Sequence, residues 1–74
     1  MKDIRTTLEV IEKITNDSKI TYELVRLDKI YSSGKIASGY TEYVLYETIG
    51  EHTSIKLNYK RESKIRQAMN DLDI

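Results

Sequence analysis

The side chains that could perform acid–base or nucleophilic chemistry are few in this sequence. His52 is the only histidine, there is no cysteine, and the three glycines are isolated from one another. A serine–histidine–carboxylate site would need a glycine-lined oxyanion loop near its nucleophile, and no such loop can be read in the sequence. Glu42 and Glu47 are five residues apart on a predicted strand, so they point to opposite faces and cannot act as a pair. We therefore expect that the chain is not an enzyme.

Ligands for metals and cofactors are also scarce. Without cysteine the chain can form neither a disulfide nor a zinc ribbon, and one histidine is too few for another kind of zinc site. No glycine-rich loop is present to hold a phosphate-bearing cofactor. The opening segment MKDIRTTLEV is charged and has no long apolar run, which predicts neither a signal peptide nor a membrane span. We expect a cytoplasmic protein with no cofactor, no metal and no membrane contact.

Charge is balanced over the whole chain but distributed unevenly along it. Twelve basic and twelve acidic side chains give a net charge of zero, which by itself favours no class of partner. Acidic residues dominate positions 35–51, which contain Glu42, Glu47 and Glu51. Basic residues dominate positions 56–66, which contain Lys56, Lys60, Arg61, Lys64 and Arg66. An acidic stretch is thus followed directly by a basic one.

The basic stretch leads into the last predicted helix. Cations at a helix N-terminus oppose the helix dipole, which favours acidic residues at that end. Helix N-termini flanked by cations also bind phosphate groups well. One interpretation is therefore a nucleic-acid or anion-binding site at this stretch. The others are a solvated charge cluster paired with Glu42 and Glu47, and a contact with an acidic protein.

Hydrophobic spacing predicts the elements that would position these side chains. Ile4, Leu8, Ile11 and Ile14 recur at helical intervals, which predicts a helix at about residues 3–16. Alternating apolar residues then predict strands at about 19–31, 36–49 and 53–59, with turns at 32–35 and 50–51 and an irregularity at 37–39. Helical spacing returns at about 60–73, with Asn58 as the N-cap. The prediction is one α+β domain over residues 1–74: helix, three-stranded antiparallel sheet, helix (αβββα).

Strand register predicts which side chains share a face. A two-residue loop at Gly50-Glu51 would set Ile49 opposite His52, Tyr46 opposite Ile55 and Val44 opposite Leu57. The expected core consists of Val44, Tyr46, Ile55 and Leu57 together with Ile20, Tyr22 and Leu24. This core requires a three-residue loop or a bulge between the first two predicted strands. A two-residue loop would instead place Thr21 and Glu23 beside Val44 and Tyr46.

The opposite face of the predicted sheet is unusually apolar. It would carry Thr21, Glu23, Val25, Leu27, Thr41, Tyr43, Leu45, Lys56 and Asn58. The outer face of such a sheet is normally polar, and monomers rarely expose large apolar patches. Either a helix or a bulge accounts for these residues, or they form an interface with a second copy or another protein. We favour an interface made of Val25, Leu27, Tyr40, Tyr43 and Leu45, with Glu42 and Glu47 on an acidic strand edge.

These observations predict a small protein-binding module rather than an enzyme. A partner protein or a second copy of the chain is the favoured partner. The expected role is that of an accessory or inhibitor protein of the kind that phages and mobile elements encode. The alternative is a nucleic-acid-binding domain that uses the basic stretch at positions 56–66.

The predicted element order is similar to that of two known groups of proteins. It resembles double-stranded-RNA-binding domains, which place basic residues at the start of the last helix, where Lys60, Arg61 and Lys64 stand here. The segment TYELV at 21–25 also resembles their first strand, whereas Asn58-Tyr59 replaces their glycine- and lysine-rich signature. Small anti-CRISPR and other phage inhibitor proteins have the same order. The first resemblance implies RNA binding, and the second implies inhibition through acidic strands.

Overall fold

The first element of the protein is a strand, not a helix. The computed structural model describes residues 4–31 and 36–74, and the side-chain surroundings of 5–31 and 41–74. Its elements are β1 (Ile4–Thr15), β2 (Thr21–Tyr31), β3 (Ile36–Ile49), β4 (His52–Tyr59) and α1 (Glu62–Asp71). The predicted αβββα order is therefore wrong. The chain forms a four-stranded antiparallel sheet in the order β1-β2-β3-β4, followed by one helix.

A β-bulge explains why β1 has the spacing of a helix. Seven of its twelve residues are β-branched, which favours a strand. Its pairing with β2 shifts between Val10 and Glu12, which leaves Ile11 unpaired. One extra residue reverses the alternation of side chains, so Leu8 lies on one side of the sheet whereas Ile11 and Ile14 pack against the core on the other. The resulting intervals of three residues imitate a helix.

The β1–β2 loop is closed by hydrogen bonds to Asn16. The backbone N–H of Lys19 donates to the Asn16 carbonyl, and that of Ile20 donates to Asn16 Oδ1, both at 3.0 Å. Lys19 has a φ of 65°, the left-handed conformation that follows a type I turn in three-residue hairpin loops. The segment that was predicted to end a helix therefore joins two strands.

The β3–β4 hairpin confirms part of the predicted register. Ile49 lies opposite His52 and Tyr46 opposite Ile55, across a loop in which Gly50 has a φ of 62°. Glycine suits this position because it adopts positive φ without a steric penalty. The pairing then shifts, so that Lys56 is unpaired, Leu57 lies opposite Leu45 and Asn58 lies opposite Val44. The predicted pairing of Val44 with Leu57 is wrong because of this second bulge.

The predicted register of β2 and β3 is wrong. The prediction placed Leu24 on the same face as Val44 and Tyr46, because that arrangement would bury more apolar side chains. Glu23 lies opposite Tyr46, Val25 opposite Val44, and Leu24 opposite Leu45. Both sets of alternate residues in these strands include apolar side chains, so burial alone does not select one register. The predicted turn at 32–35 lies outside the described residues. The register shifts between Asp28 and Ile30, whose partners Thr41 and Ile36 flank the irregularity predicted at 37–39.

The core lies between α1 and one face of the sheet, here called the helix face. Leu24, Leu45 and Ile65 are fully buried there, and Met69 is 4% exposed. Partly buried side chains surround them: Ile11, Ile14, Tyr22, Tyr43, Leu57 and Ile74. Burying one such aliphatic side chain stabilises a fold by about 1.5–3 kcal/mol. The predicted core that combined Leu24 with Val44 and Tyr46 is wrong, because these residues lie on opposite faces.

The last helix is confirmed, with shorter bounds than predicted. It covers Glu62–Asp71, and its N-cap is Arg61 instead of Asn58. The Arg61 side chain makes no capping hydrogen bond. Arg66 links α1 to β1, since its Nη1 lies 3.0 Å from Glu12 Oε2.

Candidate protein-binding face

The sheet face opposite α1, here called the open face, carries a contiguous apolar patch. Residues opposite one another in register share a face of a sheet, so the pairings define its rows. One row consists of Leu8 and Leu27, the next of Val10, Val25 and Val44, and the third ends with Tyr46 and Ile55. All four strands therefore contribute to this patch. We refer to these seven residues as the apolar patch.

The edge strands carry the most exposed side chains of the apolar patch. Leu8 and Ile55 are each 60% exposed, and Val10 is 48% exposed. On the central strands, Val25 and Val44 are only 2% and 1% exposed, although they lie on the face away from α1. Exposed apolar side chains that lie together mark interaction sites in many proteins, and Leu8 and Val10 form such a pair on β1. The patch therefore has a buried centre and two exposed margins, one on each edge strand.

A row of threonines borders one end of the apolar patch. It crosses all four strands in register and consists of Thr15, Thr21, Thr48 and Thr53. The hydroxyl oxygens of Thr15 and Thr21 lie 3.1 Å apart, and those of Thr48 and Thr53 lie 2.9 Å apart. These hydrogen bonds keep the polar groups paired within the sheet. An apolar centre with a polar rim is the usual anatomy of a protein interface.

A salt bridge borders the other end of the apolar patch. Lys60 Nζ donates a hydrogen bond to Glu42 Oε1 at 3.0 Å. This hydrogen bond and the charge of Lys60 lower the pKa of the Glu42 carboxyl, with smaller contributions in the same direction from Asn58 and Lys29. Burial opposes the shift but does not reverse it. The carboxylate is thus ionised and neutralised within the chain.

The predicted partner-binding residues are divided between the two faces of the sheet. The open face carries Val25, Leu27 and Glu42. The helix face carries Tyr43, Leu45 and Glu47, of which Leu45 is fully buried beneath α1. Tyr40 lies outside the residues whose side chains the structure describes. Glu42 and Glu47 do not form one acidic edge, because each faces a different side and pairs with a lysine.

Five residues of the apolar patch were missed by sequence reasoning. Leu8 and Val10 fall in the segment predicted to be helical, and Val44, Tyr46 and Ile55 were assigned to the core. The high β-branched content of 4–15 is the signal that would have identified β1 as a strand. No comparable signal marks the bulge at Lys56.

The predicted basic site is largely neutralised by carboxylates. Lys56 Nζ lies 3.8 Å from Glu47 Oε2, and Lys60 pairs with Glu42 as described. Arg66 contacts two carboxylates, Glu12 at 3.0 Å and Glu62 at 2.9 Å. Only Arg61 and Lys64 of the predicted set have no carboxylate within salt-bridge distance among the described residues. The predicted cations therefore do not make one continuous basic surface.

A polar cluster occupies the helix face beyond the core. Arg26 Nε lies 3.0 Å from Asp28 Oδ2 but is not aligned with it as a hydrogen bond. The charge of Asp28 raises the pKa of Arg26, and the hydroxyl of Thr41 donates to Asp28 Oδ1 at 2.7 Å. Both carboxylate oxygens of Asp28 are therefore occupied. The cluster tethers strands β2 and β3 and offers no free general base.

The remaining polar features of the described residues include an exposed histidine and a small cavity. His52 is exposed at the start of β4. A cavity of about 180 Å³ between β1 and α1 is lined by Glu12, Ile14, Arg66, Met69, Asn70 and Ile74. Its charged residues already pair with each other.

Within residues 4–31 and 36–74, no cluster of three or more acidic or histidine side chains is placed to bind a metal ion. None of the helices described there has the length and apolar character to cross a membrane.

Comparisons with known proteins do not assign this chain to a group. No protein-family model, no curated protein and no solved structure matches it. The similarity in element order to double-stranded-RNA-binding domains and phage inhibitors rested on a first helix. Because β1 occupies that position, the similarity in order does not hold.

Proposed function

We propose that this chain is a protein-binding module without enzymatic activity, and that it places its open face against another protein. The observation that carries this proposal is the apolar patch, which spans four strands on the side away from α1. Burial of apolar surface contributes about 25 cal/mol per Å², so covering the exposed parts of Leu8, Val10 and Ile55 provides a driving force for association. Tyr46 adds a residue type that is enriched among the anchors of such contacts.

Binding alone is sufficient for the role we propose. A small module that covers part of a target can block or redirect it without a chemical step. An accessory or inhibitor function, of the kind encoded by phages and mobile elements, and a cytoplasmic location both remain part of the proposal. The acidic strand edge predicted from the sequence is not part of the proposed contact, since Glu42 and Glu47 lie on opposite faces of the sheet and each pairs with a lysine.

Nucleic-acid binding is not favoured by the arrangement of charges. Each phosphate contact needs a cation that can replace bound counterions. Lys56, Lys60 and Arg66 already neutralise carboxylates, which leaves Arg61 and Lys64 from the predicted site. Two cations beside several neutral ion pairs provide little attraction for a polyanion.

Affinity capture tests the proposed function. The wild-type chain, Ile55→Glu and Leu72→Glu would each be immobilised and exposed to nuclease-treated lysate of the source cells, followed by quantitative mass spectrometry. A glutamate at position 55 must be desolvated in the contact, so we expect at least a ~10-fold loss of the captured partner. Leu72 is 47% exposed but ends α1 on the other side of the sheet, so Leu72→Glu should capture like wild type.

Two results would contradict the proposed function. One is protein capture that Ile55→Glu leaves unchanged. The other is capture of nucleic acid from untreated lysate with no protein whose recovery depends on position 55.

A further inference from the structure

We propose that the free edge of β1 pairs with β1 of a second copy of this chain. The two strands would run antiparallel around a two-fold axis, so that two four-stranded sheets join into one sheet of eight strands. This contact uses a strand edge, whereas the contact in the proposed function uses the open face. The positions of the two bulges and the charges along β1 both support the pairing.

β1 has the longer uninterrupted edge of the two edge strands. The order β1-β2-β3-β4 leaves one side of β1 and one side of β4 without a neighbouring strand. Such an edge presents backbone N–H and C=O groups that can pair with another strand, and bulges protect against this. The bulge at Lys56 divides β4 into 52–55 and 57–59, whereas the bulge at Ile11 leaves residues 4–10 of β1 in regular pairing. These seven residues are the longest regular edge in the part of the chain that the structure describes.

This part of β1 is open on both faces of the sheet. Every residue from Arg5 to Val10 is exposed. The helix α1 meets β1 on the other side of the bulge, where Arg66 contacts Glu12. A strand of a second copy can therefore approach residues 4–10 without displacing α1.

Two opposite charges lie on the helix face of this segment. Thr7 lies opposite Asp28 and Glu9 lies opposite Arg26, which places Arg5, Thr7 and Glu9 on that face. Arg26 pairs with Asp28. Neither Arg5 nor Glu9 has an oppositely charged group within salt-bridge distance among the described residues. Both charges are therefore available to a second copy.

Charge complementarity selects one register for the paired strands. The two-fold axis must pass through a residue position, because an axis between two positions would pair residues from different faces. With the axis at Thr7, Arg5 of each copy lies opposite Glu9 of the other, which makes two ion pairs. With the axis at Leu8, Glu9 would lie opposite Thr7, and with the axis at Glu9 the two carboxylates would meet. Thr7 is also the middle of the segment 4–10, so this register pairs all seven of its residues.

The same register brings the exposed β1 margins of two open faces together. Leu8 lies opposite Thr6 of the second copy, and the two Leu8 side chains become diagonal neighbours. Val10 extends this apolar strip in each copy. Leu8 and Val10 are 60% and 48% exposed in one chain, so the pairing adds apolar burial to the backbone hydrogen bonds.

The two helices do not obstruct this arrangement. Glu12, which contacts α1 through Arg66, lies five residues beyond Thr7. Because the strands run in opposite directions from the axis, the two Glu12 positions are separated by roughly 33 Å along the strands. Each chain offers one such edge, so the association closes at two copies.

An exchange of charges tests the pairing. The mass of the wild-type chain in sedimentation equilibrium should rise with concentration from 8.6 kDa towards twice that value. Arg5→Glu and Glu9→Arg each place like charges opposite one another at two points, so each should weaken association at least ~10-fold. An equal mixture of the two variants should associate like wild type, because both carboxylates of one chain then meet both guanidinium groups of the other.

Matched controls separate the pairing from effects of net charge and folding. Lys64→Glu changes the net charge as Arg5→Glu does, and Glu51→Arg changes it as Glu9→Arg does, and both lie away from β1. Both controls should associate like wild type. Arg5 lies opposite Ile30 in its own chain, so Arg5→Glu adds no like-charge pair there. Far-UV circular dichroism of every variant checks that the fold is retained.

Cross-linking tests the position of the axis, because the chain has no cysteine of its own. Opposite residues of antiparallel strands have Cα atoms about 4.5–5.5 Å apart, which a disulfide can span. Thr7→Cys should therefore form a disulfide-linked dimer under mild oxidation. Thr53→Cys, on the other edge strand, should stay monomeric under the same conditions.

The outcomes distinguish this inference from the proposed function. A wild-type chain that stays monomeric up to about 1 mM, a concentration at which even weak pairs associate, would overturn the β1 pairing. Association that both single charge variants leave unchanged, or that their mixture does not restore, would do the same. Ile55→Glu lies on β4 and should dimerise like wild type while it loses the captured partner, so each proposal can fail without the other.

Discussion

Lys19 shows how a single residue can hold a conformation that does not suit its side chain. Its φ of 65° lies in the left-handed region, which costs a residue with a Cβ about 1–2 kcal/mol relative to glycine. The loop keeps this conformation because it allows two hydrogen bonds to Asn16. The strain is thus local to one position of the β1–β2 loop.

Replacing Lys19 with glycine should stabilise the protein. We expect Lys19→Gly to raise the free energy of unfolding by about 0.5–1 kcal/mol, because the strain is relieved while the greater freedom of glycine in the unfolded chain offsets part of the gain. Urea denaturation measures the change. Ser18→Gly is the matched control, since Ser18 has no positive φ and the substitution should destabilise the loop. A lower stability for Lys19→Gly would show that the loop does not adopt this conformation in solution.

The Glu42–Lys60 pair makes the stability of the fold depend on pH. Its hydrogen bond and charge lower the pKa of Glu42 in the folded protein. The pair therefore stabilises the fold above the unfolded-state pKa of glutamate, and this contribution is lost as the pH falls through the folded pKa. The size of the effect is small, because both side chains are well exposed.

Removing the cation should return Glu42 to its ordinary behaviour. We expect Lys60→Gln to raise the pKa of the Glu42 carboxyl, as followed by NMR titration of its side-chain carbon. Lys64→Gln removes a cation that has no carboxylate partner among the described residues, so it should leave the Glu42 pKa unchanged. An unchanged Glu42 pKa in Lys60→Gln would show that the pair does not form.

The helix α1 depends on the sheet for its stability. β2 and β3 form the centre of the sheet, while α1 is attached through a small group of buried side chains. Ile65 is the fully buried contribution of α1, and Met69 lies one turn further along. The helix itself has no side-chain N-cap, so its stability depends on this packing.

Truncating Ile65 should therefore release the helix. Ile65→Ala removes buried atoms and leaves a cavity against Leu24 and Leu45, which should cost about 2–5 kcal/mol in unfolding free energy. Gln67→Ala changes an exposed residue of the same helix and should alter stability by no more than about 0.5 kcal/mol. Chemical denaturation followed by circular dichroism compares the two. Equal stabilities would contradict the position of α1 on the helix face.

As a whole, the molecule is a long sheet with a short helix. Its extents are 47 × 26 × 15 Å, and its core is confined to the part of one face that α1 contacts. On the other face, Leu8, Val10 and Ile55 are exposed at the two edges of the sheet, while Val25 and Val44 between them are buried. At this scale, the proposed function follows from the mismatch between the long sheet and the short helix.

Local patterns were sufficient to predict much of this structure. Alternating residues identified β2, β3 and β4, and helical spacing identified α1, all with bounds close to those observed. Gly50 identified the last hairpin loop, because a tight turn needs the positive φ that glycine permits. The scarcity of histidine, cysteine and glycine-rich loops also followed from the sequence directly. The expectation of excess apolar surface on the sheet came from the same patterns.

The tertiary structure decided which side chains share that surface. A bulge inserts one residue and reverses every side chain beyond it, yet nothing in the local sequence distinguishes Ile11 or Lys56 from its neighbours. The first bulge gave β1 the spacing of a helix, and the second changed the partner of Val44 from Leu57 to Asn58. The pairing of β2 with β3 places Leu45 beside Leu24 beneath α1 and Tyr46 beside Glu23 on the open face, where Leu8, Val10 and Ile55 also lie. The sequence determined that apolar surface would be in excess, and the two bulges together with the register of β2 against β3 determined where it lies.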